Sequence, residues 1–159
     1  MIVYCGLRHF YIRHFPSAQP GFFYILTYNK DVWDFSPELK QHGFVRGNKP
    51  NTVYHLDKPV LTAPLELTDF WPCAQEWLSF SRQYTNALEP EYPHSWYLQF
   101  QHQGILQQFR SDFKKKLAEE KCEGIWGAGP SKLVAKLAAH NLANGENLIS
   151  AEKTKKFLL

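Results

Sequence analysis

The run Cys122 to Ala143, CEGIWGAGPSKLVAKLAAHNLA, holds the residues whose types and spacing could do chemistry. Gly127 and Gly129 stand just before a helix entered at Pro130-Ser131, and Lys132 and Lys136 lie four apart on that helix. Glycines there let the backbone turn sharply and approach a neighbour closely. Proline suits a first helical turn because its missing N–H had no partner anyway. Two phosphate-binding patterns compete for such a turn, and neither is met. A dinucleotide fingerprint needs Gly-x-Gly-x-x-Gly, and position 132 is Lys. A P-loop needs Gly-Lys-Ser/Thr after four intervening residues, which is absent. The plainer alternative is a strand–turn–helix that only packs.

Metal chemistry has little to stand on. Residues 1–30 contain no Asp or Glu; the first acid is Asp31. Cys5, Cys73 and Cys122 are scattered with no C-x-x-C pair, which points to a reducing compartment and no metal site. His9, His14 and His94 could form a His₂ or His₃ zinc site, but Arg8 beside them and no supporting Cys or acid speak against it. The net charge of +3 is mild and permits a nucleic-acid surface without requiring one. No apolar run is long enough to span a membrane and no signal peptide opens the sequence, so a cytoplasmic location is expected.

At 159 residues the chain is one domain's worth, with a core of its own. Ile2 to Leu7 is apolar on both faces, as in a central strand. Gly21 to Tyr28 reads as an aromatic strand, Asn29-Lys30 as a turn and Val32 to Phe35 as its partner. Ser36-Pro37-Glu38 opens a short helix with a capping Ser, ended by Gly43. Val60 to Thr62 is a strand. A helix over about Thr68 to Ala87 has Pro72 in its first turn and turns Phe70, Trp71, Ala74, Trp77, Leu78 and Ser81 inward. Pro90 and Pro93 close this region. Ser95 to Gln101 alternates, with Trp96, Leu98 and Phe100 on one side. The helix Gly104 to Lys121 aligns Ile105, Phe109, Phe113 and Leu117, its Lys114-Lys115-Lys116 run being a solvated face, with DNA contact as the alternative. A strand at Gly124 to Trp126 precedes the opening helix, whose buried stripe is Leu133, Val134, Leu137, Ala138 and Leu142. A short strand at Asn147 to Ile149 and a helix from Ser150 follow. The class is α+β, one sheet with helices on one side.

A resemblance carries this further. Gly127, Gly129, Pro130, Lys132, Ala135, Lys136 and Ala138 fall in step with the "G-x-G-P-N-K-x-L-A-K-x-A-S" segment of Y-family (translesion) DNA polymerases, with Ser131 in place of Asn. Ser36-Pro37-Glu38-Leu39-Lys40-Gln41-His42-Gly43 resembles the fingers element "S-Y/P-E-A-R-x-x-G-V", in the Pro form of ImuB-like members. Trp96-Tyr97-Leu98 resembles the palm strand "D-E-A-Y-L-D", and Asn147 to Leu159 the exit toward the thumb. The resemblance covers nearly the whole chain. It implies a polymerase-type palm, a ferredoxin-like sheet with helices on one face, from residues 1–9 and 67–159. A small fingers insertion would occupy 10–66, with no thumb or little finger.

In that family two Mg²⁺ ions, held by acids of the first strand and of the palm pair, run nucleotidyl transfer. Here Gly6 and Arg8 stand at the first-strand acids and His94 and Ser95 at the palm pair, so no catalytic residue and no tight Mg²⁺ site is expected. An Arg beside the metal position would repel the ion. Phe10 and Tyr11 match the sugar-sensing aromatic pair, with an ordinary core role as the alternative. Lys40 matches the fingers Arg that contacts triphosphate. Pro37 replaces its helper Tyr, and Ala143-Asn144-Gly145 lacks a further Lys, so tight dNTP binding is not expected. Arg8, Arg46, Lys132 and Lys136 are candidate contacts to a DNA backbone. The implied function is a non-catalytic, ImuB-like accessory protein of translesion synthesis and the SOS response. Its partners would be DNA, and a sliding clamp, a RecA-like protein and a replicative-type polymerase through regions beyond this chain; its place would be a bacterial cytoplasm or nucleoid. The alternatives are a divergent active polymerase using Asp31, Asp34 or Glu91, and a pure protein-interaction module.

Overall fold

The computed structural model describes residues 1–42, 45–47 and 56–141. In chain order the elements are β1 (Ile2–Leu7), α1 (Phe10–Arg13), β2 (Phe23–Tyr28), β3 (Asp31–Phe35), β4 (Val60–Pro64), α2 (Trp71–Arg82), β5 (Leu88–Tyr92), β6 (Ser95–Gln99), α3 (Gln103–Glu119), β7 (Gly124–Gly129) and α4 (Lys132–His140). Pro37–His42 and Leu67–Phe70 are 3-10 turns. The chain divides into two units, Met1–Arg8 with Cys73–Leu159, and His9–Pro72.

In the first unit an antiparallel sheet has the order β5-β6-β1-β7. With α2 between β1 and β5 in sequence, and α3 between β6 and β7, this is the β-α-β-β-α-β succession of a ferredoxin-like sheet. The apolar β1 is central, with Val3, Tyr4, Cys5 and Leu7 buried. Cys5 pairs with Trp96 and Tyr4 with Tyr97, so the two pairs point to opposite faces. Trp96 faces α2 and α3, its ring centroid 6.3 Å from Trp77 and 6.2 Å from Phe113. Its indole N–H donates to Ser81 Oγ (2.9 Å), and that hydroxyl donates to the Trp77 carbonyl (2.9 Å). The polar edge of a fully buried tryptophan is thereby satisfied.

Several element limits differ from expectation. The helix expected to reach Ala87 ends at Arg82; the Thr85 hydroxyl then accepts the Ala87 N–H (3.2 Å) and the chain turns into β5. Pro90 lies inside that strand rather than closing the region. β5 is the sheet edge, where a missing N–H is tolerated. On α3 the buried row is Leu106, Phe109 and Phe113, while Ile105 is 42% exposed. Both candidates lie one turn before Phe109, and the sheet takes the i−3 neighbour.

The α+β palm-type architecture holds, with α2 and α3 against one face. The third helix, α4, covers the other, so helices lie on both faces and not on one as expected: Ala135 and Ala139 cluster with Tyr4 and Ile125. The expected stripe on this helix is corrected. Val134, Ala135, Ala138 and Ala139 are buried, whereas Leu133 is 61% and Leu137 42% exposed; Leu142 lies outside the described residues. The cause is backbone proximity. β7 runs on through both glycines instead of ending at Trp126. A Cβ on Gly127 would collide with Ala139 N and Ala135 O, and one on Gly129 would lie 2.6 Å from Val134 Cγ1. A helix this close to a strand admits alanine, not leucine. Ser131 is the N-cap, its Oγ accepting the Val134 N–H (3.3 Å), so the helix starts at Lys132 rather than Pro130.

In the second unit the sheet order is β3-β2-β4, with β4 parallel to β2. Asn29 (φ 51°) and Lys30 (φ 67°) make the left-handed pair of a two-residue hairpin turn. Phe23, Ile25, Val32, Phe35 and Leu39 form its core. Ser36 does not cap the turn after it; its Oγ accepts the Tyr24 N–H (2.8 Å). Gly43, the strand expected at 147–149 and the helix expected from 150 lie outside the described residues.

Gly127→Ala should therefore destabilise the fold by about 2 kcal/mol or more, as an overpacked core does. Gly104→Ala, where nothing lies within 4 Å of the added carbon, should be neutral or gain up to about 1 kcal/mol. Urea denaturation of the two variants reads the contrast.

Candidate functional site

β1 and β6 bring Gly6, Arg8, His94 and Ser95 to one end of the first unit's sheet. Gly6 lies directly opposite Ser95. The Leu7 N–H donates to the His94 carbonyl (2.8 Å), and the Arg8 N–H to the Glu123 carbonyl (2.9 Å). The side chains there are poor metal ligands. Gly6 has none. Ser95 is fully buried, and its Oγ has no hydrogen-bond partner among the described residues. His94 is buried and stacked on Tyr92, with centroids 5.7 Å apart and planes at 10°. Paired Mg²⁺ ions take hard oxygen ligands, carboxylates above all. A hydroxyl, an imidazole and a guanidinium do not fit them. Among the described residues no three His, Cys, Asp or Glu converge as a metal-holding group. His14, one of the three candidate zinc ligands, packs on Phe10 (4.9 Å).

The acids weighed as substitutes have other partners. Glu91 shares the first unit's sheet with Ser95, but Lys136 Nζ lies 2.6 Å from its Oε1. Tyr97 is held well above the ordinary tyrosine range, by burial first and then by the neighbouring Glu91 carboxylate. Asp34 is buried in the second unit. Its Oδ2 accepts the N–H groups of Tyr11 and Ile12 (both 3.0 Å), and its Oδ1 that of Phe35 (2.8 Å). Those bonds tie down the first turn of α1, a helix whose own N-cap, His9, makes no side-chain cap. Asp31 pairs with Tyr28 at the start of β3.

The candidate DNA contacts fare unequally. Lys132 Nζ lies 2.5 Å from Glu89 Oε2 and over the Tyr97 ring (5.4 Å). Lys136 lies over Tyr4 (5.7 Å). Burial alone would lower the pKa of Lys136, but the Glu91 carboxylate outweighs it and the net shift is upward. Arg46 folds onto Trp33, its Nε donating to the Trp33 carbonyl (2.7 Å) and its guanidinium 5.0 Å from the ring. Lys40 is exposed on its 3-10 turn. Phe10 and Tyr11 are buried in one aromatic cluster: Tyr11 lies 5.3 Å from Phe10, 5.0 Å from Phe70 and 6.2 Å from Trp33. Their place is a core one. Of the Lys114-Lys115-Lys116 run, Lys116 is held by Glu76 (2.7 Å) and Glu120 (3.3 Å) over Trp77.

The fold as a whole has solved counterparts. The fold is shared with Y-family DNA polymerases. DinB from Sulfolobus solfataricus superposes with a TM-score of 0.67 at 14% identity, over 99% of this chain and 50% of that one. The insertion ternary complex of Dbh DNA polymerase gives 0.69 at 15%, over 99% and 51%. The post-insertion binary complex of Dbh gives 0.70 at 16%, over 99% and 50%. The chain thus spans about half the length of the Y-family structures it matches. No protein-family model and no curated protein matches the sequence.

Sequence reasoning missed Glu89 and the pairing of both lysines. A signal was present: Glu89 and Glu91 alternate around Pro90, so a strand there would put both acids on one face. The capping by Asp34 had no local signal.

Asp34→Ala should cost about 3 kcal/mol of stability, because three N–H groups, two of them buried, lose their acceptor, and Asp34→Asn about half that. Chemical denaturation followed by tryptophan fluorescence measures both. A loss under about 1 kcal/mol for Asp34→Ala would contradict the capping role.

Proposed function

We propose that this chain is a non-catalytic relative of the Y-family polymerases, of the ImuB-like kind, with an accessory or scaffold role in DNA damage tolerance and translesion synthesis. One observation carries the reading. The sheet end that would hold the metals presents Gly6, Arg8, His94 and Ser95, and the neighbouring Glu91 is tied to Lys136. Nucleotidyl transfer needs converging carboxylates to hold two metals. A pseudoenzyme of this kind keeps the scaffold and dispenses with the chemistry. Its partners would be DNA and, through parts beyond this chain, a sliding clamp, a RecA-like protein and a replicative-type polymerase of the SOS response. It would work in the cytoplasm, at the nucleoid when DNA-bound.

A second reading has its own support. The exposed Leu133 and Leu137, beside lysines already neutralised by glutamates, suit a protein-interaction module that has given up DNA. The divergent-polymerase reading is the least supported, since Asp34 and Glu91 are both engaged structurally.

Fluorescence anisotropy of a labelled primer–template against this protein separates the first two. The accessory reading predicts weak binding at about 50 mM salt that is lost toward about 200 mM, as phosphate contacts are. Absence of binding at the lower salt would move the protein to the interaction class. Micromolar, Mg²⁺-dependent dNTP binding by calorimetry would contradict both.

A further inference from the structure

Glu89 and Glu91 lie two apart on the edge strand β5, and Lys132 and Lys136 four apart on α4. Two residues along a strand cover about 6.6 Å and four along a helix about 6 Å, so the two rows share a repeat. Each carboxylate takes one ammonium, Glu89 with Lys132 and Glu91 with Lys136. A register shift between Pro90 and Tyr92 leaves Glu91 as the extra residue of a bulge, the kind of feature that re-aims a side chain.

We propose that these two carboxylates are an intramolecular block on a latent phosphate-binding face. They stand against Lys132 and Lys136 where phosphodiester oxygens would stand, and the face takes a nucleic-acid backbone only when they are displaced or neutralised. The inference rests on the reading of this fold as one that faces nucleic acid.

Three features support it. The contacts are those an anionic oxygen of a phosphate would make with an ammonium. Affinity for a nucleic-acid backbone grows with each phosphate that a cation neutralises, and a lysine already paired adds little. The outer pair is open to solvent, with Lys132 49% and Glu89 64% exposed at the side chain. Exposed pairs contribute only about 0–1 kcal/mol to stability, so an incoming anion can exchange for the carboxylate without unfolding the chain.

The test is anisotropy with a labelled primer–template duplex at about 50 mM salt. The chain is compared with Glu89→Gln, with Glu89→Gln/Glu91→Gln, and with that double variant carrying Lys132→Ala/Lys136→Ala. The double variant should bind roughly tenfold tighter, with a salt dependence steeper by about 0.9 per lysine released. Removing the lysines should cancel the gain. Glu89→Gln alone, at the exposed pair, should show part of the effect with an unchanged melting temperature, which guards against loss of fold at the half-buried Glu91. Unchanged affinity in both glutamine variants would overturn the block, whether or not the parent chain binds. A gain that survives removal of the lysines would overturn it too. The parent titration alone reports on the accessory-protein reading, so the two ideas fail separately.

Discussion

The backbone contact between β7 and α4 at Gly127 governs the second face of the palm-like sheet. With no Cβ in the way, the helix settles onto the strand, and only small residues fit beneath it. Ala135, Ala138 and Ala139 meet that demand. The leucines are pushed round to solvent, and the lysines to the flank that faces β5. The Gly-x-Gly stretch that reads at first as phosphate chemistry is thus a packing device. Its effect on function is indirect: it sets where Lys132 and Lys136 can reach.

The electrostatics of that face follow. A two-metal site concentrates negative charge so that cations are drawn to it. In this chain Glu89 and Glu91 of β5 are each matched with a lysine of α4. Tyr97 lies beneath the Lys132 ammonium and Tyr4 beneath that of Lys136. In the second unit, Asp34 has a different task, holding the turn that presents Phe10 and Tyr11 to the aromatic core. A shared fold with polymerases is compatible with this redistribution, because the sheet and its helices are held by apolar packing while the chemistry needs only a few side chains.

What could be read from the sequence was what local pattern determines. The apolar β1, the alternation of Trp96, Leu98 and Phe100, the Asn29-Lys30 turn and the inward face of α2 were all legible. So was the ferredoxin-like α+β class, through the resemblance. The failures share one physical origin, contacts between residues distant in sequence. The phase of α4 depends on which strand it touches, and at Gly127 that strand selects alanine over leucine. The helix α1 exists because an acid more than twenty residues on accepts its N–H groups. Lys132 and Lys136 looked like free cations because their partners lie 43 and 45 residues away, on a strand that two prolines disguised.

We propose that the described residues of this palm-like fold lack the means to hold catalytic metal ions. Primer extension on a labelled primer–template, with dNTPs and either Mg²⁺ or Mn²⁺, tests it most directly. The account predicts that the primer stays unextended with both metals. Extension that persists through purification and disappears in Glu91→Gln would contradict it, and would make Glu91 a metal ligand rather than the partner of Lys136.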